Sequence, residues 1–536
     1  MPARRQVLQA AALSVTGAAA GAGADLLAPE SPQPKGPPAG RDCVPPLGPV
    51  TVDPDDSRYQ DLVRRGHKRY VGSPDHVRVV GSTEQVVQAV QEAVRDGKRV
   101  AVRGGGHCLE NWVDDPSIRV LIDLSGMTQV YFDPERNAFA VEGGADLEQV
   151  YRRLFLGWGV TIPAGWCPKV GAGGHFSGGG YGVLSRTHGL VVDHLYGVEV
   201  VVVDGAGRAS AVVATRDGTG AERELWWAHT GGGGGNFGIV TRYWLRTPGA
   251  RGTDPSALLP KAPASVIDFS CTWPWQGLNM DEEKFARLIR NHGEWCERNS
   301  APGSPGTALY CDLTVARRAT DVNLTVGQAH GPDAERLVDD YLTALGAGVG
   351  APINVVRERK PWLTAALSGP NASKLYRLKA KSGYLRQRYA ESQVQAIYRH
   401  LTKERDPELI IGSVGFASYG GKINTVPSSA TAHGHRDAVM RVLFMSTWND
   451  PAVDERYDNW LRELYRDVYR DTGGVPDPRD GAYINYPDND LADPAHNTSG
   501  VPWHRLYYKD NYPRLQRAKA RWDPRNVFTH TLGVQP

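Results

Sequence analysis

Residues 163–182 read PAGWCPKVGAGGHFSGGGYG, with Cys167 standing ahead of a glycine-rich run that holds His175 and Tyr181. Glycine lets a backbone press against a flat or charged ligand, and exposed N–H groups in such loops hold phosphates. A phosphate cradle explains neither the thiol nor the two ring side chains. Read singly, Cys167 is a small apolar filler, as most buried cysteines are. The stretch points to a nucleotide and leaves the thiol to be assigned from the rest of the chain.

At 536 residues the chain is too long for one core, and its length predicts about two to four domains. The apolar share of 41% and charged share of 22% are those of an ordinary globular protein. Lysine plus arginine number 61 against 59 acids, so a nucleic-acid partner is not expected. The 14 tryptophans and 22 tyrosines serve packing or line a cleft that stacks on sugars or polycyclic ligands. The six cysteines, Cys43, Cys108, Cys167, Cys271, Cys296 and Cys311, show no CxxC pair and no metal-ligand spacing, so no metal is expected.

Residues 1–45 read as an export signal and linker, since Arg4-Arg5 precede a short Ala-rich segment and a Pro-rich stretch. This pattern predicts secretion by the twin-arginine route, with a cytoplasmic location as the alternative. The apolar segment is too short for a membrane span, and no later span is expected. From 52 to 250, helical periods such as TEQVVQAVQEAVRDG alternate with strand-like runs such as VLIDLSGM and LYGVEVVVV, which predicts a first domain. Residues 251–480 mix long amphipathic helices with strand-like stretches and predict a second domain, an antiparallel sheet backed by helices. Residues 481–536 form a compact tail. The fold class expected is α+β.

Three further stretches carry candidate chemistry. Arg103-Gly104-Gly105-Gly106-His107-Cys108 follows a strand and reads as a tight turn or an anion nest; no GK[ST] follows, so it is not a P-loop. Gly231–Gly235 precede Asn236 and the strand-like FGIVT, which favours an ordered loop over a linker. In Tyr483-Ile-Asn485-Tyr486-Pro-Asp488 the tyrosines are either packed rings or, where positive charge stabilises a phenolate, a base.

In their order, GGGH, the strand VLIDLSGM, the opening stretch, L-x-x-D-x-L, GGGGGNFGIVT, N-Y-x-D and a late D-P-x-N-V-F, these motifs resemble the berberine bridge enzyme-like FAD oxidases of the vanillyl-alcohol oxidase superfamily. The resemblance implies an FAD-binding domain of two α+β subdomains over 52–250, a substrate domain whose sheet covers the flavin, and a tail, 481–536, returning to the first domain. It implies FAD attached twice, through His107 to the C8 methyl carbon and through Cys167 to C6. Arg103, Gly104, Gly105 and Gly106 would bed the cofactor from the first loop. Val170, Gly171, Gly173, Gly174, His175, Gly178 and Gly179 would do so from the second. Gly232, Gly238, Ile239, Val240 and Asn485 complete that set, with Val170 at the oxygen gate and His175 in a backbone-supporting role.

The resemblance casts Tyr486 as the base that takes a hydroxyl proton, and Tyr181 as its helper or an orienting group. Tyr419 and Lys381 are candidates for the substrate cleft. The implied reaction removes hydride from a hydroxyl-bearing carbon on the sugar of a glycosylated natural product and converts O2 to H2O2. A free mono- or oligosaccharide oxidase, or an oxidase of a non-sugar alcohol, is the alternative.

Overall fold

The structure, a computed structural model, describes residues 46–369, 376–403, 409 and 411–536. The arginine pair and Cys43 lie outside the described residues.

The first sheet has four strands, β1 (Val50–Val52), β2 (His76–Val79), β3 (Val100–Arg103) and β4 (Val120–Asp123), in the order β1-β2-β4-β3. β2 and β3 both run parallel to β4. The helix Thr83–Arg95 makes the crossover from β2 to β3. Ser82 Oγ caps it by accepting from the Gln85 N–H, and it buries Val86, Ala89, Val90 and Ala93. β3 ends at Arg103, so the glycine loop leaves the carboxyl end of a parallel strand, where open α/β sheets place their ligands.

The second sheet is antiparallel, with β5 (Val130–Asp133), β6 (Ala138–Glu142), β7 (Leu195–Val203), β8 (Ala209–Thr215) and β9 (Ile239–Leu245) in the order β5-β6-β9-β7-β8. The helix Leu147–Trp158 lies against it. A capping box of Asp146 and Gln149 starts this helix, and left-handed Gly159 ends it. The opening stretch is not one long loop, because Ala172–Ser177 forms a short helix with Phe176 buried.

The third sheet carries β10 (Ser265–Thr272), β11 (Leu309–Ala316), β12 (Leu324–His330), β13 (Ile353–Pro361), β14 (Arg377–Leu385), β15 (Ile411–Ser418) and β16 (Met440–Trp448). Their order is β13-β10-β12-β11-β15-β16-β14, all antiparallel. The helices Glu282–Asn299, Ala334–Gly346, Glu391–Thr402 and Asp454–Val468 pack around it. On β11 burial alternates, so Cys311, Leu313 and Val315 are buried while Asp312 and Thr314 stay partly open on the other face. Among the described residues no helix is long and apolar enough to cross a membrane.

The tail returns to the first part of the chain. Its helix Tyr512–Trp522 packs on the helix Gly220–Ala228. The fully buried Lys519 ammonium donates to the Asp523 carboxylate at 2.7 Å and to the carbonyls of Asn236 at 2.7 Å and Phe528 at 2.6 Å. Removing one partner of a buried pair strands the other charge. Lys519→Met is therefore expected to cost about 3–5 kcal/mol, read as a lower unfolding temperature of the purified protein, and Asp523→Asn in the same chain should restore part of it.

Candidate active site

A cavity of about 630 Å³ lies between the two N-terminal sheets and the third sheet. Four segments distant in sequence wall it. The first is the loop leaving β3. The Arg103 guanidinium pairs with Asp123 and donates to the Leu62 carbonyl, so its charge anchors the loop. Gly104, Gly105, Gly106 and His107 follow it along the wall. Burial lowers the His107 pKa, which favours the neutral imidazole. Burial pushes the neighbouring Cys108 thiol up to about 11, so it stays protonated.

The second segment is the opening stretch. A Cβ on Gly105 would come within 2.3 Å of the Gly171 nitrogen, and one on Gly171 within 2.2 Å of the Gly105 nitrogen. The two loops thus meet backbone to backbone, which sets His107 and Cys167 in one cavity wall. Cys167 is a free, half-buried thiol there. Val170, Gly171, Gly173, Gly174 and His175 line the wall beside it. His175 Nε2 accepts from the Gly165 N–H at 2.9 Å. Burial, aided by the charge of Arg441, lowers the His175 pKa to about 3, so the ring serves as a neutral acceptor.

The third segment is the loop before β9, where Gly233, Gly234 and Gly235 reach the cavity together with Gly238, Ile239 and Val240. Gly232 lies behind that wall. Its Cβ position falls 2.4 Å from the Ala228 carbonyl, and its own carbonyl accepts from the Tyr508 hydroxyl. Gly178 and Gly179 also stand behind the wall, giving room to Asn485, whose Oδ1 would lie 2.0 Å from a Cβ at 178, and to the His433 ring. Asn485 itself lines the cavity and donates from Nδ2 to the His175 carbonyl at 2.9 Å and the Tyr483 hydroxyl at 3.0 Å.

The fourth segment brings Tyr483 and Tyr486 against Arg441 of β16. The guanidinium lies 4.7 Å from the Tyr486 ring centre, 4.5 Å from that of Tyr181 and 5.5 Å from that of Tyr483. Burial works against the charge of Arg441, and the surrounding phenols, Tyr486 foremost, more than offset it, so the side chain stays protonated. Tyr181 is buried in the wall with its hydroxyl donating to the Ser418 carbonyl. Burial raises its pKa despite Arg441. With its proton held by that carbonyl, Tyr181 contributes a ring face and a fixed neighbour for Arg441.

Two residues expected in the cleft do not reach it. Tyr419 is buried behind Tyr181, its hydroxyl bonded to His433 Nε2 at 3.1 Å and to the His435 carbonyl at 3.2 Å. Lys381 is buried and donates to Asp488 at 2.6 Å and Asp490 at 2.7 Å. Lys379 joins Glu110 at 2.9 Å and Asp488 at 3.0 Å, so this cluster fixes the Tyr486 loop from behind.

Several wall residues carried no sequence signal used above: Arg441, Tyr310, Asp312, Trp166 and the Trp112–His530 stack at 3.8 Å. Arg441 interrupts the apolar run VMRVLFM, and an isolated charge inside a predicted buried strand is the cue that could have found it.

The cavity fits FAD on its own chemistry. Gly174 and Gly234 line it, and Cβ atoms there would meet nothing nearer than the Ser177 Cβ at 4.0 Å, so side chains at either position would fill the space. A free thiol and a neutral imidazole stand in that same wall.

Residues 74–208 match the family model of the FAD binding domain, and residues 482–535 match the model named Berberine and berberine like. The chain is 53% identical over 494 residues to the aclacinomycin-N/aclacinomycin-A oxidase of Streptomyces galilaeus, covering 91% of this chain and 90% of that one. It is 30% identical over 538 residues to the hexose oxidase of Chondrus crispus, covering 90% and 94%. The structure superposes on that of a glycopeptide hexose oxidase complexed with teicoplanin with a TM-score of 0.88 and 49% identity, covering 92% and 100%.

Proposed function

Because the chain belongs to the berberine bridge enzyme-like FAD oxidases of the vanillyl-alcohol oxidase superfamily, we propose that it oxidises a hydroxyl on the sugar of a glycosylated natural product, with O2 as electron acceptor. The observation that carries this reading is the placement of Tyr486, in the cavity wall beneath the guanidinium of Arg441. Bound FAD would supply the two-electron acceptor for the hydride, with O2 as the terminal acceptor reduced to H2O2. Tyr486 takes the hydroxyl proton, and Arg441 is the fixed positive charge against which negative charge on that phenol develops. Tyr483 and Arg441 hold the ring of Tyr486, and Tyr181, packed on the same guanidinium, helps orient the incoming sugar. His107 and Cys167 are the residues that would hold the flavin, the imidazole through a ring nitrogen and the thiol through sulfur. Val170, in the same wall, borders the path of oxygen. Among relatives, one is named for aclacinomycins and another was solved with teicoplanin, which favours a glycosylated substrate over a free sugar.

A peroxide-release screen tests this. Glycosylated polyketides and glycopeptides are expected to give H2O2. Release from free mono- or oligosaccharides alone, or from non-sugar alcohols alone, would replace the substrate class. The double attachment has its own readout. Acid-precipitated wild-type protein is expected to stay yellow, each of His107→Ala and Cys167→Ala to keep part of the colour through the other tether, and the double variant to release it all. Complete release from wild type would sink the double attachment. Export by the twin-arginine route belongs to the same proposal, resting on Arg4-Arg5 and the Ala-rich segment after them. Recovery of the protein only in the cytoplasm of a host with that route would overturn it.

A further inference from the structure

The floor of the cavity is one face of the third sheet, and its residues form rows. Asp312 on β11 pairs with Ala417 on β15, and Ala417 pairs with Arg441 on β16. All three line the cavity. In the next row Thr314, Gly415 and Leu443 repeat the arrangement, and Ser413 stands beside Met445 beyond them. The middle strand therefore presents only serine, glycine and alanine to the cavity, a trough between two taller banks. Strands lie about 4.7–4.9 Å apart, so the backbones of Asp312 and Arg441 are separated by about 10 Å. A carboxylate stands on one bank and a guanidinium on the other.

The two charges do not meet. Neither forms an ion pair among the described residues, and Arg441 Nε is buried without a hydrogen-bond partner. Asp312 is the one acidic side chain in the cavity wall among the described residues. Its Oδ1 accepts from the Thr314 hydroxyl at 3.0 Å. Gly415 keeps the trough open beside it, since a Cβ there would stand 3.6 Å from Asp312 Oδ1. Burial raises the Asp312 pKa against the pull of Thr314 and Arg441, so the carboxylate gains from any donor that enters. Asp312, whose carboxylate has acceptor capacity beyond the Thr314 hydroxyl, and Arg441, whose Nε has no hydrogen-bond partner, face each other across an open trough that a ligand can bridge.

We propose that this trough is a sugar subsite in which Asp312 accepts a hydrogen bond from a second hydroxyl, across the ring from the carbon that is oxidised. The inference rests on the sugar-oxidising reading above and adds a specificity-determining residue to it. A pyranose ring lying in the trough puts its reacting hydroxyl at the bank of Arg441 and Tyr486, and a hydroxyl on the far side at Asp312. The flat floor of Ser413, Gly415 and Ala417 accepts the ring itself. A substrate lacking the far hydroxyl leaves the carboxylate with Thr314 as its one donor and removes it from water without a replacement, which is how a polar site rejects an otherwise similar ligand.

The test measures binding without turnover. In Tyr486→Phe holoenzyme, flavin absorbance is titrated with methyl glucopyranoside, methyl galactopyranoside and their monodeoxy analogues. One deoxy position is expected to weaken binding at least about tenfold. Asp312→Asn and Asp312→Ala, each in the same background with flavin loaded, are expected to weaken the parent sugar and leave that analogue unchanged, erasing the discrimination. Equal affinity for every analogue, no perturbation by any sugar, or discrimination that survives both substitutions overturns the subsite. Discrimination that depends on Asp312 in a protein whose wild type releases no peroxide retains the subsite and rejects the oxidase reading.

Discussion

Tyr486→Phe is expected to slow reduction of the bound flavin by substrate by about 10²–10⁴-fold, the usual worth of a positioned general base, while the flavin stays attached. The phenol hydroxyl is the only group removed. The ring keeps its edge-to-face contact with Tyr483, at 5.4 Å between centres, and its place beneath Arg441. The segment that carries it is held independently of the hydroxyl. The Asp488 N–H donates to the Tyr507 hydroxyl at 3.0 Å, and the Asp488 carboxylate is gripped by Lys379 and Lys381. A rate loss in the variant therefore reports proton transfer and not a displaced loop. Anaerobic stopped-flow reduction measures it, with acid precipitation confirming that the flavin remains. Near-normal reduction would remove Tyr486 from the role of base and leave Tyr181 no better placed, because its hydroxyl is committed to the Ser418 carbonyl.

The parts of the site legible in the sequence are those that local chemistry dictates. His107 and Cys167 sit in glycine runs because two backbones must touch there, and glycine leaves a visible mark. Tyr486 is flagged by its motif. The parts that could not be read are assembled by strand register. Asp312 and Arg441 lie 129 positions apart in chain numbering, share no local pattern, and are joined only through the pairing of β11 with β15 and β15 with β16. Lys381 shows the opposite error. A lysine in a strand near the site suggests a ligand contact, yet β14 runs buried and its two lysines are neutralised by Glu110, Asp488 and Asp490, carboxylates from distant segments. Composition cannot show which buried charge is already paired. Within the opening stretch, helical residues 172–177 were hidden because glycine is a poor helix former. Tertiary contact decides there: Phe176 is fully buried, and Gly173 fits where its Cβ would stand 2.6 Å from the Gly143 carbonyl.

Gly171→Ala should abolish the double attachment of flavin proposed above. The added methyl would stand 2.2 Å from the Gly105 nitrogen, 2.7 Å from the Gly105 Cα and 3.4 Å from the Gly104 carbonyl carbon. All three are backbone atoms, so no side chain can rotate away, and the loop after Cys167 must part from the loop before His107. Relief to ordinary van der Waals contact needs a shift of about 1 Å, and a misplacement of that size costs about 10²-fold where reacting atoms must be held about 3–3.5 Å apart. Attachment to both residues demands that geometry twice, once on each loop, so the variant is expected to carry flavin on one tether or none. Gly157→Ala is the matched control. It adds the same methyl within the helix Leu147–Trp158, where nothing lies within 4 Å, and alanine is favoured over glycine in a helix by about 0.5–1 kcal/mol. That variant should keep full colour after acid precipitation and melt no lower than wild type. If Gly171→Ala also keeps full colour, and digestion still yields peptides of both loops joined through flavin, then the backbone contact between Gly105 and Gly171 does not set the spacing of His107 and Cys167.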